Sequence, residues 1–150
     1  MKKTLFLLIV LYGHLYALEQ KSTLTLYHQI LSSLTHKENV IVYTNDRELL
    51  PIFRHSRVLI PVIDPEAADV IIVGNEQAYK KIYARLKRKG KEGTVFFFAT
   101  SYRLFKAHPP IVGALYWKKG RSQLLFLKPR LERYGITLPK EYQPFIVEEL

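Results

Sequence analysis

Three short runs of apolar residues constrain the fold of this chain more than any other feature. They cover residues 40–43 (VIVY), 69–74 (DVIIVG) and 94–99 (TVFFFA), and they are rich in β-branched and aromatic side chains. Continuous apolar runs of this length are typical of strands that are covered on both faces, as in parallel sheets. Turn-forming or capping residues follow each run. The three runs therefore predict the central strands of an α/β sheet.

Helical spacing of apolar residues predicts the covering layers. Residues 23–34 and 76–89 have the periodicity of amphipathic helices, and 129–134 forms a short helix that closes at a glycine. The run 58–63 contains Pro61, which cannot donate a ladder hydrogen bond, so we expect an edge or bulged strand there.

Residues 111–117 and 122–127 flank a short turn and predict a β-hairpin. The fold class expected is α/β, a single-domain sandwich with a mixed sheet. It combines parallel central strands with a C-terminal antiparallel β-hairpin. Only one long crossover helix is evident, so a full doubly wound domain is not expected.

The first 17 residues have the order of a secretory signal peptide. Lys2 and Lys3 precede the apolar stretch 5–12, and Ala17 offers a small residue for cleavage. We expect a signal peptide over 1–17, a domain over 18–138 and a C-terminal tail over 139–150. An uncleaved N-terminal anchor is the alternative. The chain has no cysteine, which fits an exported protein of a bacterial periplasm stabilised by packing alone.

The formal net charge of +10 indicates an anionic partner. In the periplasm the polyanions are membrane headgroups, acidic proteins and envelope polymers rather than nucleic acid. A basic composition without any partner is the alternative. No nucleophile elbow, phosphate-binding loop or dinucleotide motif is present in the sequence, so we expect no enzyme, no cofactor and no catalytic residues. The histidines offer no convincing metal site.

The first candidate site lies where the parallel strands end, because ligands of open α/β sheets bind beyond the carboxyl ends of their strands. Short polar residues stand at these positions, followed by an aromatic and a basic residue. The candidate ligand-binding residues are Asn45, Asp46, Asn75, Thr100, Ser101, Tyr102 and Arg103. The alternative is that the polar residues form turns and helix caps only.

The second candidate site is a basic surface that contains aromatic residues. It combines the end of the basic helix with the hairpin turn, a composition suited to an anionic partner. The candidate partner-binding residues are Lys87, Arg88, Tyr116, Trp117, Lys118, Lys119 and Arg121. The alternative is that the tyrosines belong to the core and the lysines form a solvated face.

The pattern of the chain resembles the YfiR-like family of small periplasmic proteins. Three stretches carry the resemblance: 69–74, 94–105 (TVFFFATSYRLF) and 113–138, which begins with Gly113 and includes the hairpin. The family usually has a paired glycine where only Gly113 stands here. The resemblance implies a non-enzymatic regulator that contacts the periplasmic region of an inner-membrane diguanylate cyclase. A sensor kinase is another signalling partner to consider, and a homodimer is a further alternative.

Overall fold

A computed structural model describes the backbone of residues 2–150 and the side chains of residues 17–150. The signal peptide expected over 1–17 lies almost entirely outside the described side chains. The first helix, α1, runs from Lys2 to Thr35, so it begins well before the expected segment 23–34. Within the described part of the chain, no helix is long and apolar enough to cross a membrane.

One seven-stranded sheet organises the molecule, in the order β2-β1-β3-β4-β5-β6-β7. Neighbouring strands are parallel except for the antiparallel pair β5 and β6. This arrangement confirms the expected α/β class with a mixed sheet and a C-terminal hairpin. The strands are β1 (Val40–Thr44), β2 (Leu59–Pro61), β3 (Val70–Val73), β4 (Phe96–Ala99), β5 (Ile111–Lys118), β6 (Arg121–Leu127) and β7 (Ile146–Val147).

Four further helices and two 3-10 turns complete the fold. The helices are α2 (Leu49–Arg54), α3 (Glu76–Arg88), α4 (Tyr102–Ala107) and α5 (Lys128–Arg133), and the 3-10 turns are Pro65–Ala67 and Lys140–Phe145. Helices α1, α2 and α5 cover one face of the sheet, and α3 and α4 cover the other. Because both faces are covered, every residue of β3 is buried, as its apolar sequence predicts.

The order of the five parallel strands corrects one expectation. The sequence β2-β1-β3-β4-β5 is a doubly wound order, which the presence of one long crossover helix did not indicate. Short elements such as α2 and the turn Pro65–Ala67 make the other crossovers, so helix length was a poor guide to topology. The predicted edge position of β2, which contains Pro61, is confirmed.

The segment expected as a C-terminal tail, 139–150, packs on the domain. Tyr142 is buried against the α1 face, where its ring packs edge-on against Phe126 with centroids 6.0 Å apart. The hydroxyl of Ser33 donates to the Tyr142 hydroxyl at 3.3 Å, and β7 extends the sheet beside β6. These contacts make the segment part of the fold.

Two residues fix the position of the hairpin formed by β5 and β6. Arg130 is buried, and its Nη1 donates to the carbonyls of Phe105, His108 and Ile111 at 2.6 to 3.0 Å. These bonds hold the connection from α4 to β5. At Gly113 the Phe126 ring lies so close that an added Cβ would stand 2.5 Å from the ring. The base of the hairpin is therefore tightly held.

Candidate functional site

The carboxyl ends of the parallel strands meet at one edge of the sheet, between the two helical layers. The strand order reverses between β1 and β3, because the chain moves outward from β1 to β2 and then returns to β3 on the other side. In doubly wound sheets such a reversal opens a crevice at the carboxyl edge. Asp46 follows β1 and Gly74 follows β3, so these two residues flank the crevice.

Asp46, Gly74 and Thr100 converge at this edge. A Cβ placed on Gly74 would lie 3.0 Å from the Thr100 Oγ1 and 3.6 Å from the Asp46 Oδ2. The absence of a side chain at Gly74 therefore lets the two oxygen-bearing side chains approach each other. The structure thus brings together Asp46 and Thr100, which the sequence places more than fifty residues apart.

Three of the predicted ligand-binding residues also stabilise the starts of helices. The Asn75 Oδ1 accepts from the Ala78 backbone N–H at 2.8 Å, and the Ser101 Oγ accepts from that of Leu104 at 3.4 Å. The Asp46 Oδ1 accepts from Glu48 at 2.8 Å and from Leu49 at 3.1 Å. Asn75 and Ser101 thus have the capping roles that the sequence left as an alternative.

Tyr102 and Arg103 lie in the first turn of α4, where they face the hairpin. The Tyr102 and Tyr116 ring centroids are 5.5 Å apart, and burial raises the pKa of the Tyr116 hydroxyl. A cleft of about 430 Å³ runs between α4 and the hairpin, lined by Thr100, Ser101, Tyr102, Arg103, Tyr116, Trp117 and Lys118. The structure therefore joins part of the first candidate set to part of the second.

The hairpin extends beyond the rest of the sheet. Ala114 of β5 pairs with Ala99 at the end of β4, so the last four residues of β5 continue past the parallel strands. Four residues of strand are about 13 Å long. Trp117, near the tip, is 73% exposed. The hairpin therefore presents its tip to solvent at the carboxyl edge.

Three cations surround the turn at this tip. Lys118 and Arg121 are directly opposite each other in the pairing of β5 with β6. Lys119 has a φ of 50°, in the left-handed region that asparagine and glycine favour, and Gly120 follows with a φ of 75°. We call the following residues the hairpin surface: Tyr102, Arg103, Tyr116, Trp117, Lys118, Lys119 and Arg121.

Lys87 and Arg88 do not belong to the hairpin surface, which corrects their grouping with it. Helix α3 starts at the carboxyl edge and runs for 13 residues, so its end lies about 20 Å away. At that end, Glu66 accepts hydrogen bonds from Lys89 and Arg85 at 3.0 and 2.7 Å. Several cations around α3 are therefore paired within the protein. Lys87 and Arg88 form no ion pair with any residue from 17 to 150, so their position alone separates them from the hairpin surface.

A second cleft opens on the α1 face of the same edge, and sequence reasoning missed most of its residues. Its volume is about 440 Å³. Of the predicted ligand-binding residues, it contains Asp46 and Thr100. Its further lining includes Tyr27, Glu48 and Leu115, none of which was predicted as a site residue. The exposed Asn45 lies near this edge but does not line the cleft.

Comparison with known proteins supports the fold and nothing finer. A scan against protein-family models finds no match, and a search of curated proteins finds none. Among solved structures, the chain is similar to a conserved domain protein from Vibrio cholerae O1 biovar El Tor strain N16961, with a TM-score of 0.53 and 12% identity. The match covers 79% of this chain and 57% of that one. At this identity the likeness shows a shared fold only.

Proposed function

We propose that this protein is a non-enzymatic regulatory binding protein of the periplasm, which contacts the periplasmic part of an inner-membrane signalling protein. The signal-like order of charge, apolar residues and a small residue in 1–17 supports export. The resemblance to the YfiR-like family supports a regulatory role. The observation that carries the proposal is the hairpin surface, where an exposed tryptophan stands among cations that have no ion-pair partner in the described chain.

The composition of the hairpin surface suits protein recognition. Tryptophan, tyrosine and arginine are the residues that most often dominate the binding energy of protein interfaces. Trp117 is 73% exposed, and exposed aromatic side chains are among the residues that protein interfaces most often bury. Tyr102 and Tyr116 form a pair beside it, and Arg103 completes the group. We therefore place Trp117 at the centre of the interface.

The charges of the hairpin surface favour an acidic partner. Lys118, Lys119 and Arg121 form no ion pair with any residue from 17 to 150. Like charges directly opposite each other on paired strands are destabilising, and Lys118 and Arg121 have this relation. An acidic segment bound across the tip would relieve that repulsion. Complementary charge of this kind also accelerates association.

Site-specific crosslinking in the source cells tests the proposal. A photoreactive benzoylphenylalanine replaces Ser122, an exposed residue directly opposite Trp117. The matched control places the same group at Arg88, which is also exposed but lies at the far end of α3. We expect an adduct from position 122 only, with an acidic periplasmic segment of one inner-membrane signalling protein.

Two results would contradict the proposal. Adducts of position 122 with lipid or envelope polymer alone would show that the hairpin surface binds a polyanion and not a protein. The same proteins crosslinked from positions 122 and 88 would indicate contacts driven by overall charge instead of by the hairpin surface.

A further inference from the structure

The cleft on the α1 face differs sharply in charge from the rest of this basic protein. Its thirteen lining residues include three carboxylates, at Glu19, Asp46 and Glu48, and no lysine, arginine or histidine. The whole chain, in contrast, has a formal net charge of +10. A negative cleft in a positive protein attracts a cation that the surrounding surface would repel.

Aromatic side chains form another part of the wall. Tyr27 borders the cleft from α1, and Trp117 borders it from the hairpin. The negative faces of aromatic rings attract organic cations, and tryptophan does so most strongly. No three His, Asp or Glu side chains of the described residues are grouped closely enough to hold a metal ion. The wall therefore suits an organic cation better than a metal ion.

The hydroxyl of Tyr27 is the observation that points to a ligand independently of the carboxylates. Tyr27 is 4% exposed, and its ring packs edge-on against Phe53 and Phe98, with centroids 5.6 and 6.4 Å away. Its hydroxyl makes no hydrogen bond within the described residues. Burial and, to a smaller extent, the nearby Asp46 carboxylate raise the pKa of this hydroxyl. Among the described residues, the fully enclosed side-chain N and O atoms have hydrogen-bond partners except the Glu92 Oε2, so the unpartnered Tyr27 hydroxyl keeps some contact with solvent. The polar group of a side chain as buried as this one normally has a partner. This one borders the cleft, where a ligand can supply it.

Asp46 offers a second unused acceptor at the same place. Its Oδ1 accepts the Glu48 and Leu49 backbone N–H groups, which fixes the carboxylate in position. Its Oδ2 accepts no hydrogen bond from the described residues and lies toward Gly74 and Thr100. One oxygen thus holds the start of α2 while the other is available to a ligand.

We infer that this cleft binds a small organic cation, an ammonium group on an apolar body. Asp46 supplies the opposite charge, the Tyr27 hydroxyl supplies a polar contact, and Trp117 covers the apolar part. Glu48 and Glu19 add negative potential at the rim. The inference concerns a different ligand from the proposed protein partner, although Trp117 belongs both to the hairpin surface and to the lining of this cleft.

Fluorescence titration tests the inference, since Trp117 is the only tryptophan of the chain. The protein is expressed from its full sequence, purified as the cell produces it and titrated with choline. The control ligand is 3,3-dimethylbutan-1-ol, which has the same shape without the charge. We expect a saturable fluorescence change with choline and at least tenfold weaker binding of the neutral alcohol.

Two conservative variants locate the binding. Asp46→Asn retains an oxygen to accept the Glu48 and Leu49 N–H groups, so α2 keeps its start, and we expect at least a tenfold loss of choline affinity. Tyr27→Phe retains the packed ring, and we expect a loss of about threefold to tenfold from the missing hydroxyl. Thermal unfolding confirms that each variant is folded.

Three outcomes would overturn the inference. One is an equal response to choline and to the neutral alcohol, and another is wild-type affinity in a folded Asp46→Asn variant. The third is the absence of any saturable response to choline. None of these outcomes affects the crosslinking test of the protein partner.

Discussion

The two basic regions of the molecule, the end of α3 and the tip of the hairpin, look alike in sequence and differ in their surroundings. Around α3, Arg85, Lys89 and Lys91 all lie within 3.5 Å of one carboxylate, that of Glu66. At the hairpin, the described residues provide no carboxylate for the three tip cations. Charge that is already paired contributes to the fold, whereas unpaired charge remains available to a partner. Lys87 and Arg88 are unpaired as well, but they lie at the far end of α3 from the hairpin surface. Counting lysines and arginines does not distinguish these cases.

Of the changes proposed for the two basic regions, removal of the Trp117 side chain should have the largest effect on partner affinity. We expect Trp117→Ala to weaken the complex with the crosslinked partner by about 2–4 kcal/mol, or about 30- to 1000-fold, as for a central interface residue. Affinity for the purified periplasmic region of that partner is the measurement. Ile63→Ala is the matched control, because Ile63 is 98% exposed and lies outside the hairpin surface. Equal loss in both variants would remove Trp117 from the centre of the interface.

A substitution at the base of the hairpin tests whether the hairpin is held in place by its packing within the sheet. We expect Gly113→Ala to lower the free energy of unfolding by about 1–3 kcal/mol, because the new methyl group collides with Phe126. Chemical denaturation measures the change. Gly93→Ala is the control, since nothing lies within 4 Å of a Cβ there and its φ is not in the left-handed region. An unaffected Gly113→Ala variant would mean that the Phe126 ring moves aside easily.

The hairpin turn offers a variant in which stability and binding should change in opposite directions. Lys119→Asn places a residue that favours the left-handed region at a φ of 50° and creates an Asn-Gly turn. We expect the free energy of unfolding to rise by up to about 1 kcal/mol, while affinity for the acidic partner falls several-fold. Denaturation and binding assays on the same preparation give both values. A turn that gains stability without losing affinity would exclude Lys119 from the interface.

The ion pairs between Glu66 and the cations around α3 should make the stability of the protein depend on pH. Hydrogen bonds from Lys89 and then Arg85 lower the pKa of Glu66 to about 2. In the unfolded chain the pKa of this carboxyl is near its ordinary value of 4.5. Between about pH 2 and pH 4.5 the unfolded state therefore binds more protons than the folded state. The Glu66 contribution to stability is therefore present above about pH 4.5 and is lost as the pH falls toward 2.

Glu66→Gln should remove this part of the pH dependence and leave partner affinity unchanged. Denaturation midpoints of the two proteins, measured from pH 6 to pH 2, should approach each other as the pH falls. Parallel curves over that range would show that the hydrogen bonds from Lys89 and Arg85 to Glu66 do not stabilise the protein.

The sequence predicted the sheet better than it predicted the site, and the reason is physical. The buried runs of β1, β3 and β4 have a local signature, because both faces of each strand are covered. The pairing of Glu66 with α3 has no such signature, since the partners are about twenty residues apart and meet only after folding. Tyr27 has the spacing of a core residue, and only the tertiary structure shows that its hydroxyl borders a cleft.

The most direct test of the central claim compares two double variants with the same change in net charge. Lys118→Glu with Lys119→Glu alters the hairpin surface, and Lys87→Glu with Arg88→Glu alters the end of α3. The measurement is the yield of the partner adduct from benzoylphenylalanine at position 122 in cells. We predict that the hairpin variant loses most of the adduct and that the α3 variant keeps it. Equal yields from the two variants would contradict the claim that the hairpin surface recognises the partner.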